Sequence, residues 1–462
     1  MKRKETFKNI SLVVLILIGI GLFSNMWFSE KLWSNGYDFF AFFDIFSDKN
    51  EESGSAFAIS DIVAPRRFVI SGGDKRSIVT NSDPEYSRCE GETSALFAGS
   101  GSDFSVASYD EWKSGLKSKS ILVDFGIPIS SALLVKSGIT APDDGLFTKI
   151  LIVPDDSNQK HCIIYFENSS SGQISKCITE NRPTVSALIS NLTETSGAIN
   201  IPYAFELGFD SVKFGKNEEI NQNILLDSTI SLGLSEGQIP SVEIKNAIST
   251  QNSGKILKNF FDTGVSVRRY VEKDGSSVFV NRKSTLKISP GGYIEYTAEG
   301  EGKKFAAGDN SVAESVSSVM SLVRSISAQC NISGVKFQLH HSPGYTSPDE
   351  ITASLDYLIG SVPLCVADSN GAVVPAVTAK IKDGHLVYFK FYVCNISVLP
   401  QQTVLPSMLK AIDNLYSQAG GEKLDVSDLY ISYIADDSSH TAQPSWCARL
   451  KNSDRVIIIN GE

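Results

Sequence analysis

One short pattern in this chain has the residue types and spacing that nucleophilic catalysis would use. Ser114 and Lys117 form S-x-x-K, in which the lysine activates the serine hydroxyl, as in penicillin-binding enzymes. The K-T-G motif that accompanies this pattern does not follow, and G-x-S-x-G, H-E-x-x-H and phosphate-binding loops are also missing. Because serine is common in this chain, the sequence favours a structural role for Ser114, on the polar face of a helix that carries Trp112.

The histidines are the next candidates for chemistry. The chain has 5 of them, dispersed along its length, and His340 and His341 are adjacent at the end of a predicted strand. Neighbouring side chains of a strand point to opposite faces, so this pair cannot easily bind one metal ion. The sequence therefore predicts histidines that are exposed or at the edge of the core, with no bound metal and no cofactor.

The 7 cysteines are scattered and form no C-x-x-C pair. This pattern is not that of a disulfide framework or a zinc ribbon, and it predicts that most of them are small buried apolar side chains. Cys162 and Cys177 flank a predicted hairpin and can form a disulfide only if both point to one face. The sequence leaves that pairing open.

An uncharged stretch at residues 10–28, ISLVVLILIGIGLFSNMWF, determines where the rest of the chain lies relative to a membrane. As a helix it is roughly 28 Å long, which matches a hydrocarbon core of about 30 Å. Basic residues precede it and acidic residues follow it, so we expect a single-pass membrane protein with a cytoplasmic N-terminus and an extracytoplasmic body. The alternative is a cleaved signal peptide, but bulky residues occupy the place of a small-x-small cleavage site.

Four small or polar residues in this stretch are candidates for contact with another transmembrane helix: Gly19, Gly21, Ser24 and Asn25. Helices in lipid associate through close backbone approach and a few polar contacts, and Gly21 and Asn25, four residues apart, lie on one face. The competing interpretation is that any membrane anchor tolerates such residues.

The rest of the chain alternates strand-like and helix-like patterns separated by turn signals, which predicts an α+β body of antiparallel sheets backed by helices. Residues 241–249 and 254–261 are predicted as short helices, and residues 120–129 as a strand that ends at Pro128. The predicted segments are a cytoplasmic tail (1–9), the transmembrane helix (10–28), a juxtamembrane tether (29–60), a first extracytoplasmic α+β domain (61–215), a central domain with a β-meander (216–305) and a C-terminal α+β domain (306–462).

The predicted C-terminal domain contains an order of elements that occurs twice. A helix over 310–329 precedes a strand at 335–341, and a helix over 403–421 precedes a strand at 428–436. This repetition indicates one fold used in tandem or a pseudo-symmetric sheet. Trp446, at the start of the last hairpin, is a candidate interface anchor, although the alternation around it favours a place in the core.

Several stretches resemble the YycH family of two-component-system regulators. The most specific are KNFFDTGVSVRRYVEKDGSSVFVNR (258–282) and TLKISPGGYIEY (285–296), and EWKSGLKSKSILVDFGIPISSALL (111–134) is similar to an early W…K…F…P segment of the family. The C-terminal order of a helix, an I-S-Y strand, a P-S-W strand and an I-I-N-G end resembles the part that YycH shares with YycI proteins.

The resemblance implies a non-enzymatic, membrane-anchored regulator of an essential sensor histidine kinase of the WalK (YycG) type, which controls cell-wall metabolism. It implies as partners that kinase, a YycI-like protein and the lipid bilayer. The net charge of −10 disfavours nucleic acid. Two alternatives stay open: an anchored cell-wall-active enzyme with Ser114 or a histidine as catalyst, and an extracellular peptide-binding or inhibitor module that uses the tandem C-terminal units to bind a peptide at a sheet edge.

Overall fold

The structure is a computed structural model. It describes residues 62–155, 160–194, 198–207, 219–220, 238–262, 266–300, 302–305, 311–333, 335–347, 349–368, 372–420, 424–435, 440–450 and 455–459. The predicted transmembrane helix and tether, including Gly19, Gly21, Ser24 and Asn25, lie outside these residues. Among the helices that are described, none combines the length and the apolar character that crossing a bilayer requires.

The N-terminal half forms a 7-stranded sheet in the order β2-β1-β4-β5-β6-β7-β3. All of its pairings are antiparallel. Its central strands are rich in β-branched residues, which suit a sheet buried on both faces. Their bounds are β1 Arg67–Gly72, β2 Arg76–Thr80, β3 Ser105–Ala107, β4 Lys119–Ser130, β5 Leu146–Pro154, β6 His161–Asn168 and β7 Ile174–Glu180.

Helices cover both faces of this sheet. They are α1 Tyr86–Ala98, α2 Tyr109–Lys117, α3 Ser131–Lys136 and α4 Pro183–Glu194. Helix α2 begins with the capping box of Ser108 and Glu111, which satisfies free N–H groups of its first turn. It buries Trp112 against Tyr165, with the ring centroids 6.4 Å apart. Helices α1 and α4 cover the opposite face through residues such as Leu96, Phe97, Val185 and Leu188.

The C-terminal half forms an 18-stranded assembly that is antiparallel except where β23 pairs in parallel with β18 and β8. Three further helices accompany it: α5 Thr250–Leu257, α6 Val312–Gln329 and α7 Met408–Ala419. The strands are β8 Glu219–Ile220, β9 Gln238–Asn246, β10 Arg268–Val271, β11 Ser277–Val280, β12 Ser284–Ile288, β13 Tyr293–Ala298, β14 Lys303–Lys304, β15 Lys336–Leu339, β16 Gly344–Ser347, β17 Glu350–Ile359, β18 Val362–Ala367, β19 Val373–Val374, β20 Val377–Lys382, β21 His385–Tyr392, β22 Cys394–Val404, β23 Asp425–Ala435, β24 Thr441–Leu450 and β25 Val456–Ile459.

Helix α6 buries one apolar stripe, Val316, Val319, Val323 and Ile326, as its spacing predicts. It contacts β17 on its own side and α3 of the N-terminal half. Most buried apolar residues of both halves therefore belong to one continuous core, while the residues packed under α2 form a separate, smaller cluster. Helix α7 ends at Gly420, whose φ of 60° is the left-handed conformation that favours glycine at a helix end.

Three details differ from the sequence-based predictions. Residues 241–249 were predicted as a helix, but most of them lie in β9, where Val242 and Ile244 are buried against β22 and β24. Strand β4 does not end at Pro128 but continues to Ser130 beyond an irregularity in its pairing with β5. The predicted central and C-terminal domains share one sheet, because β13 pairs with β21 and β9 with β22.

Candidate functional site

One face of the C-terminal sheet carries a row of polar side chains where it meets the N-terminal half. Strands β15, β17, β18, β23 and β24 are neighbours in that order. Side chains alternate between faces along each strand, so the registers of these pairs place every second residue on the face concerned. We call the following residues on this face the junction cluster: Gln338, His340, Asp356, Cys365, Asp428, Tyr430, Ser432 and Arg449.

The centre of the junction cluster is a buried triad on three adjacent strands. His340 Nδ1 lies 2.6 Å from Asp356 Oδ2, and both side chains are 3% exposed or less. The thiol of Cys365 donates to the same carboxylate oxygen at 3.5 Å. The hydroxyl of Ser432 lies 3.4 Å from Cys365 Sγ, in hydrogen-bonding geometry. The triad is thus a compact set of nitrogen, oxygen and sulfur atoms inside the protein.

Some polar atoms of this cluster have no hydrogen-bond partner in the described part of the chain. They are Asp356 Oδ1, the Tyr430 hydroxyl and Arg449 Nε. A cavity of about 20 Å³ is lined by these three residues together with Arg66 and other residues of the segment before β1, of β4, of β15 and of β18. A volume of this size holds one water molecule, and polar walls favour its presence.

Arg66 connects the two halves of the protein across this junction. Its Nη2 donates to Asp428 Oδ2 at 2.9 Å and lies 4.0 Å from Asp124 Oδ2. The ring of Tyr430 lies between two guanidinium groups, 5.6 Å from that of Arg66 and 5.3 Å from that of Arg449. Such cation–π contacts strengthen when they are shielded from water.

On the N-terminal side of the junction, the carboxylate of Asp124 lies close to two arginine side chains, those of Arg66 and Arg67. Its Oδ2 accepts from Arg67 Nε at 2.9 Å, and its Oδ1 accepts from the backbone N–H of Gly126 at 2.9 Å. Gly126 has a φ of 73°, and a Cβ there would lie 2.7 Å from Arg66 Cζ. Glycine is therefore required twice at this position, by the backbone conformation and by the approach of the guanidinium.

The pKa values follow from burial and from these charges. Burial alone would raise the pKa of Asp124, but Arg67, Arg66 and Lys149 outweigh it and hold that pKa well below its usual range. Burial raises the pKa of the Cys365 thiol well above its ordinary value, and the carboxylate of Asp356 adds to this effect. Cys365 is thus a neutral thiol in the structure as it stands.

His340, Asp356 and Cys365 are the described residues that can hold a metal ion, because their ligand atoms all lie within 4.8 Å of one another. The sequence analysis expected exposed or edge-of-core histidines and no metal. His340 is instead buried, and its partners come from β17 and β18 rather than from the adjacent His341.

The other residues singled out from the sequence lie apart from the junction triad. Ser114 is exposed on α2, and Lys117 Nζ lies 5.2 Å from the centroid of the Phe205 ring. Trp446 is 3% exposed, and its indole N–H donates to the carbonyl of Pro406 at 2.9 Å, so in the structure it occupies the core beneath α7.

All seven cysteines fall within the described residues, and all are free and buried, as the scattered pattern predicted. Cys162 and Cys177 point to the same side of the β6–β7 pair and belong to one apolar cluster. They are not opposite each other, because Cys162 pairs with Thr179 and Cys177 pairs with Ile164, two residues further along β6. Burial raises the pKa of Cys162 to about 12 and that of Cys177 to about 11, so both are unreactive thiols.

Sequence reasoning missed the junction cluster, although one signal was present. Asp124 and Asp356 are single carboxylates inside otherwise apolar strands, ILVDFGI and ASLDYLI. A buried charge needs a partner, so each of these residues indicates a second charged or polar group nearby. The identity of that partner depends on pairings between distant strands.

Comparison with known proteins identifies the fold. The crystal structure of YycH from Bacillus subtilis is similar, with a TM-score of 0.60 over 89% of this chain and 99% of that chain, at 10% sequence identity. No family model matches the sequence. No curated protein matches it either. The protein therefore has a YycH-like, sheet-rich α+β fold, which confirms that part of the resemblance; the similarity to YycI remains a prediction.

Proposed function

We propose that this protein is a membrane-anchored extracytoplasmic regulator of a sensor histidine kinase of the WalK (YycG) type, acting through transmembrane and extracytoplasmic protein contacts. The observation that carries the proposal is the YycH-like fold, which extends over 89% of the chain. The uncharged stretch at 10–28 supplies the anchor that such a role needs. A YycI-like protein and the bilayer complete the proposed set of partners.

The first test concerns the transmembrane contact. A photo-crosslinking amino acid is placed at position 25 of the full chain in its native membrane, and a second variant carries it at position 23. In the predicted helix these positions are about 160° apart, so they face different surroundings. We expect a crosslink to the kinase, or to a YycI-like protein, from position 25 and a much weaker one from position 23.

The second test concerns signalling. Residues 10–28 are replaced by an unrelated apolar span of equal length, and the output of the kinase is measured with a reporter of its response regulator. We expect the output to change while the body remains exported and folded. Unchanged output, together with equal crosslinking from positions 25 and 23, would remove helix pairing from the mechanism.

The proposed role is non-enzymatic, with the anchored cell-wall enzyme as the alternative. In the S-x-x-K mechanism the lysine must lie beside the serine hydroxyl, whereas the ammonium of Lys117 faces an aromatic ring. Labelling of the full chain by a fluorescent β-lactam, lost on Ser114→Ala, would support the enzyme. The matched control is Ser118→Ala, which changes the next serine along the chain.

A specific observation also favours the peptide-binding alternative. Strand β10 is the terminal strand of its sheet, and all four of its residues are exposed. The N–H and C=O groups on its outer side can pair with an extended peptide. At the end of the β10–β11 hairpin, the N–H of Glu272 donates to the carbonyl of Ser276. In an antiparallel pair the N–H groups of successive residues point alternately toward the partner strand and away from it, so the N–H of Val271 points away from β11. Val271→Pro should abolish peptide binding at this edge and leave the hairpin intact.

A further inference from the structure

We propose that His340, Asp356 and Cys365 form a binding site for one divalent transition-metal ion of the zinc class. Zinc takes imidazole nitrogen, carboxylate oxygen and thiolate sulfur as ligands, most often in a tetrahedral arrangement. These three donor types meet here within 4.8 Å, on three adjacent strands of one sheet. The inference does not rest on the proposed regulatory function.

The geometry is close to that of a filled site. Ligands at about 2.0–2.3 Å from a tetrahedral zinc ion lie about 3.3–3.5 Å from each other. The distance from Cys365 Sγ to Asp356 Oδ2 is already 3.5 Å. The His340 Nδ1 to Asp356 Oδ2 distance is 2.6 Å, a hydrogen bond that an ion would replace. Opening it by about 0.7 Å is within reach of a small rotation of the imidazole.

The charges and hydrogen bonds around His340, Asp356 and Cys365 favour the binding of a metal ion. Asp356 Oδ1 is buried and has no hydrogen-bond partner in the described residues, so the carboxylate has unused capacity as a ligand. Binding would displace the thiol proton of Cys365 to solvent and leave the neutral imidazole with its proton on Nε2. One thiolate and one carboxylate then balance the two positive charges, which lowers the cost of placing an ion in the interior.

The surroundings supply what metal ligands need. The Ser432 hydroxyl lies 3.4 Å from Cys365 Sγ and 3.0 Å from the carbonyl of Pro363, and it donates to a thiolate at Cys365 when its proton turns away from that carbonyl. Arg449 Nη1 donates to the backbone carbonyl of His340 at 3.1 Å and holds the end of β15 in place. Outer hydrogen bonds of this kind orient metal ligands. The cavity of about 20 Å³ that Asp356 lines has room for one water molecule beside this carboxylate.

The test uses the full chain in detergent, stripped with a chelator and then titrated with Co²⁺. We expect saturation at one equivalent, a thiolate-to-cobalt charge-transfer band in the near ultraviolet, and loss of that band when Zn²⁺ is added. Cys365→Ser should abolish the band. Cys447→Ser is the matched control, because Cys447 is a buried thiol on the same face of the sheet but is not a ligand, and it should retain the band.

A second variant tests the outer hydrogen bond without removing a ligand. Ser432→Ala should keep the charge-transfer band and weaken metal affinity about 10–100-fold. The proposal is overturned if the wild-type chain shows no thiolate band, if the band persists in Cys365→Ser, or if Cys447→Ser removes it equally. Absence of the band in the wild-type chain overturns the proposal even where a variant fails to fold, and a band that is present is assigned to Cys365 by the two cysteine variants.

Discussion

The ion pair between Arg66 and Asp428 joins positions 362 residues apart, and it offers a direct test of how the two halves are held together. The perturbation is Arg66→Met, which keeps a long apolar side chain and removes the charge. Asp428 would then lose its 2.9 Å partner, and Tyr430 would lose one of its two guanidinium neighbours.

The magnitude follows from burial. The Arg66 side chain is 12% exposed and that of Asp428 is 8% exposed, so water screens the pair weakly. Removal of one partner from a buried pair costs about 3–5 kcal/mol. The lower end applies, because Asp124 keeps Arg67 and Lys149. We therefore expect a loss of about 3 kcal/mol in the free energy of unfolding.

The assay is urea unfolding of the full chain in detergent, followed by tryptophan fluorescence, with stability taken from the midpoint at a shared slope. Arg66→Met, Asp428→Asn and the double variant form a thermodynamic cycle. We expect the double variant to lose about 2 kcal/mol less than the sum of the single losses. The matched control is Arg88→Met, since the pair of Arg88 with Glu85 is exposed and should contribute under about 1 kcal/mol.

Two results would contradict this reasoning. Either Arg66→Met costs no more than Arg88→Met, or the losses of the cycle simply add. In the first case the junction is held by apolar packing alone. In the second case Asp428 is stabilised by another group, for which Arg449, its register partner on β24, is the nearest candidate on the sheet.

Three further predictions use the same assay. Gly126→Ala should cost about 2 kcal/mol more than Gly172→Ala, because both glycines have a φ of 73° but only the Cβ at Gly126 would meet a neighbour, the Arg66 guanidinium. Because the pKa of Asp124 is lower in the folded state than in the unfolded state, its ionised carboxylate stabilises the fold at a pH above the unfolded-state pKa of about 3.9. This stability is lost as the pH falls below that value. The wild type should therefore lose stability more steeply below about pH 4 than Asp124→Asn. Trp446→Phe should cost about 1 kcal/mol, because it removes the indole N–H that donates to the half-buried carbonyl of Pro406 before α7.

Local elements could be predicted from the sequence because their causes are local. Helix α2 is capped by Ser108, because this residue and Glu111 lie three residues apart and form a capping box. The meander of β10 to β13 follows its Asp-Gly and Pro-Gly-Gly turn signals. The stripe of α6 is buried as its spacing predicts.

The helix predicted over 241–249 was wrong for a physical reason. Val242 and Ile244 alternate with Glu243 and Lys245, a period of two that fits a strand. The stretch is a strand because it pairs with β22, more than a hundred residues further along the chain. Tertiary pairing of this kind overrides the weak local preference of charged residues for helices.

The junction cluster could not be assembled from the sequence, because its members lie on or next to five strands, β15, β17, β18, β23 and β24. The single carboxylates in apolar strands indicate that partners exist, but the registers decide which partners. Asp356 meets Cys365 only because β17 turns tightly into β18, and it meets His340 only because β15 pairs with β17. The chemistry of this site therefore depends on which strands pair and in which register, and no local sequence motif predicts it.

Ile62 and Val63 lie buried at the junction, just before the Arg66 ion pair. Ile62 and Val63 are 4% and 3% exposed, and Ile62 lines the same cavity as Asp356 and Arg449. Arg66 follows only a few residues later. Ile62 and Arg66 therefore both lie where the two halves meet. We expect substitutions at Ile62 to alter signalling and junction stability together, whereas substitutions on the exposed strand β10 should leave stability unchanged.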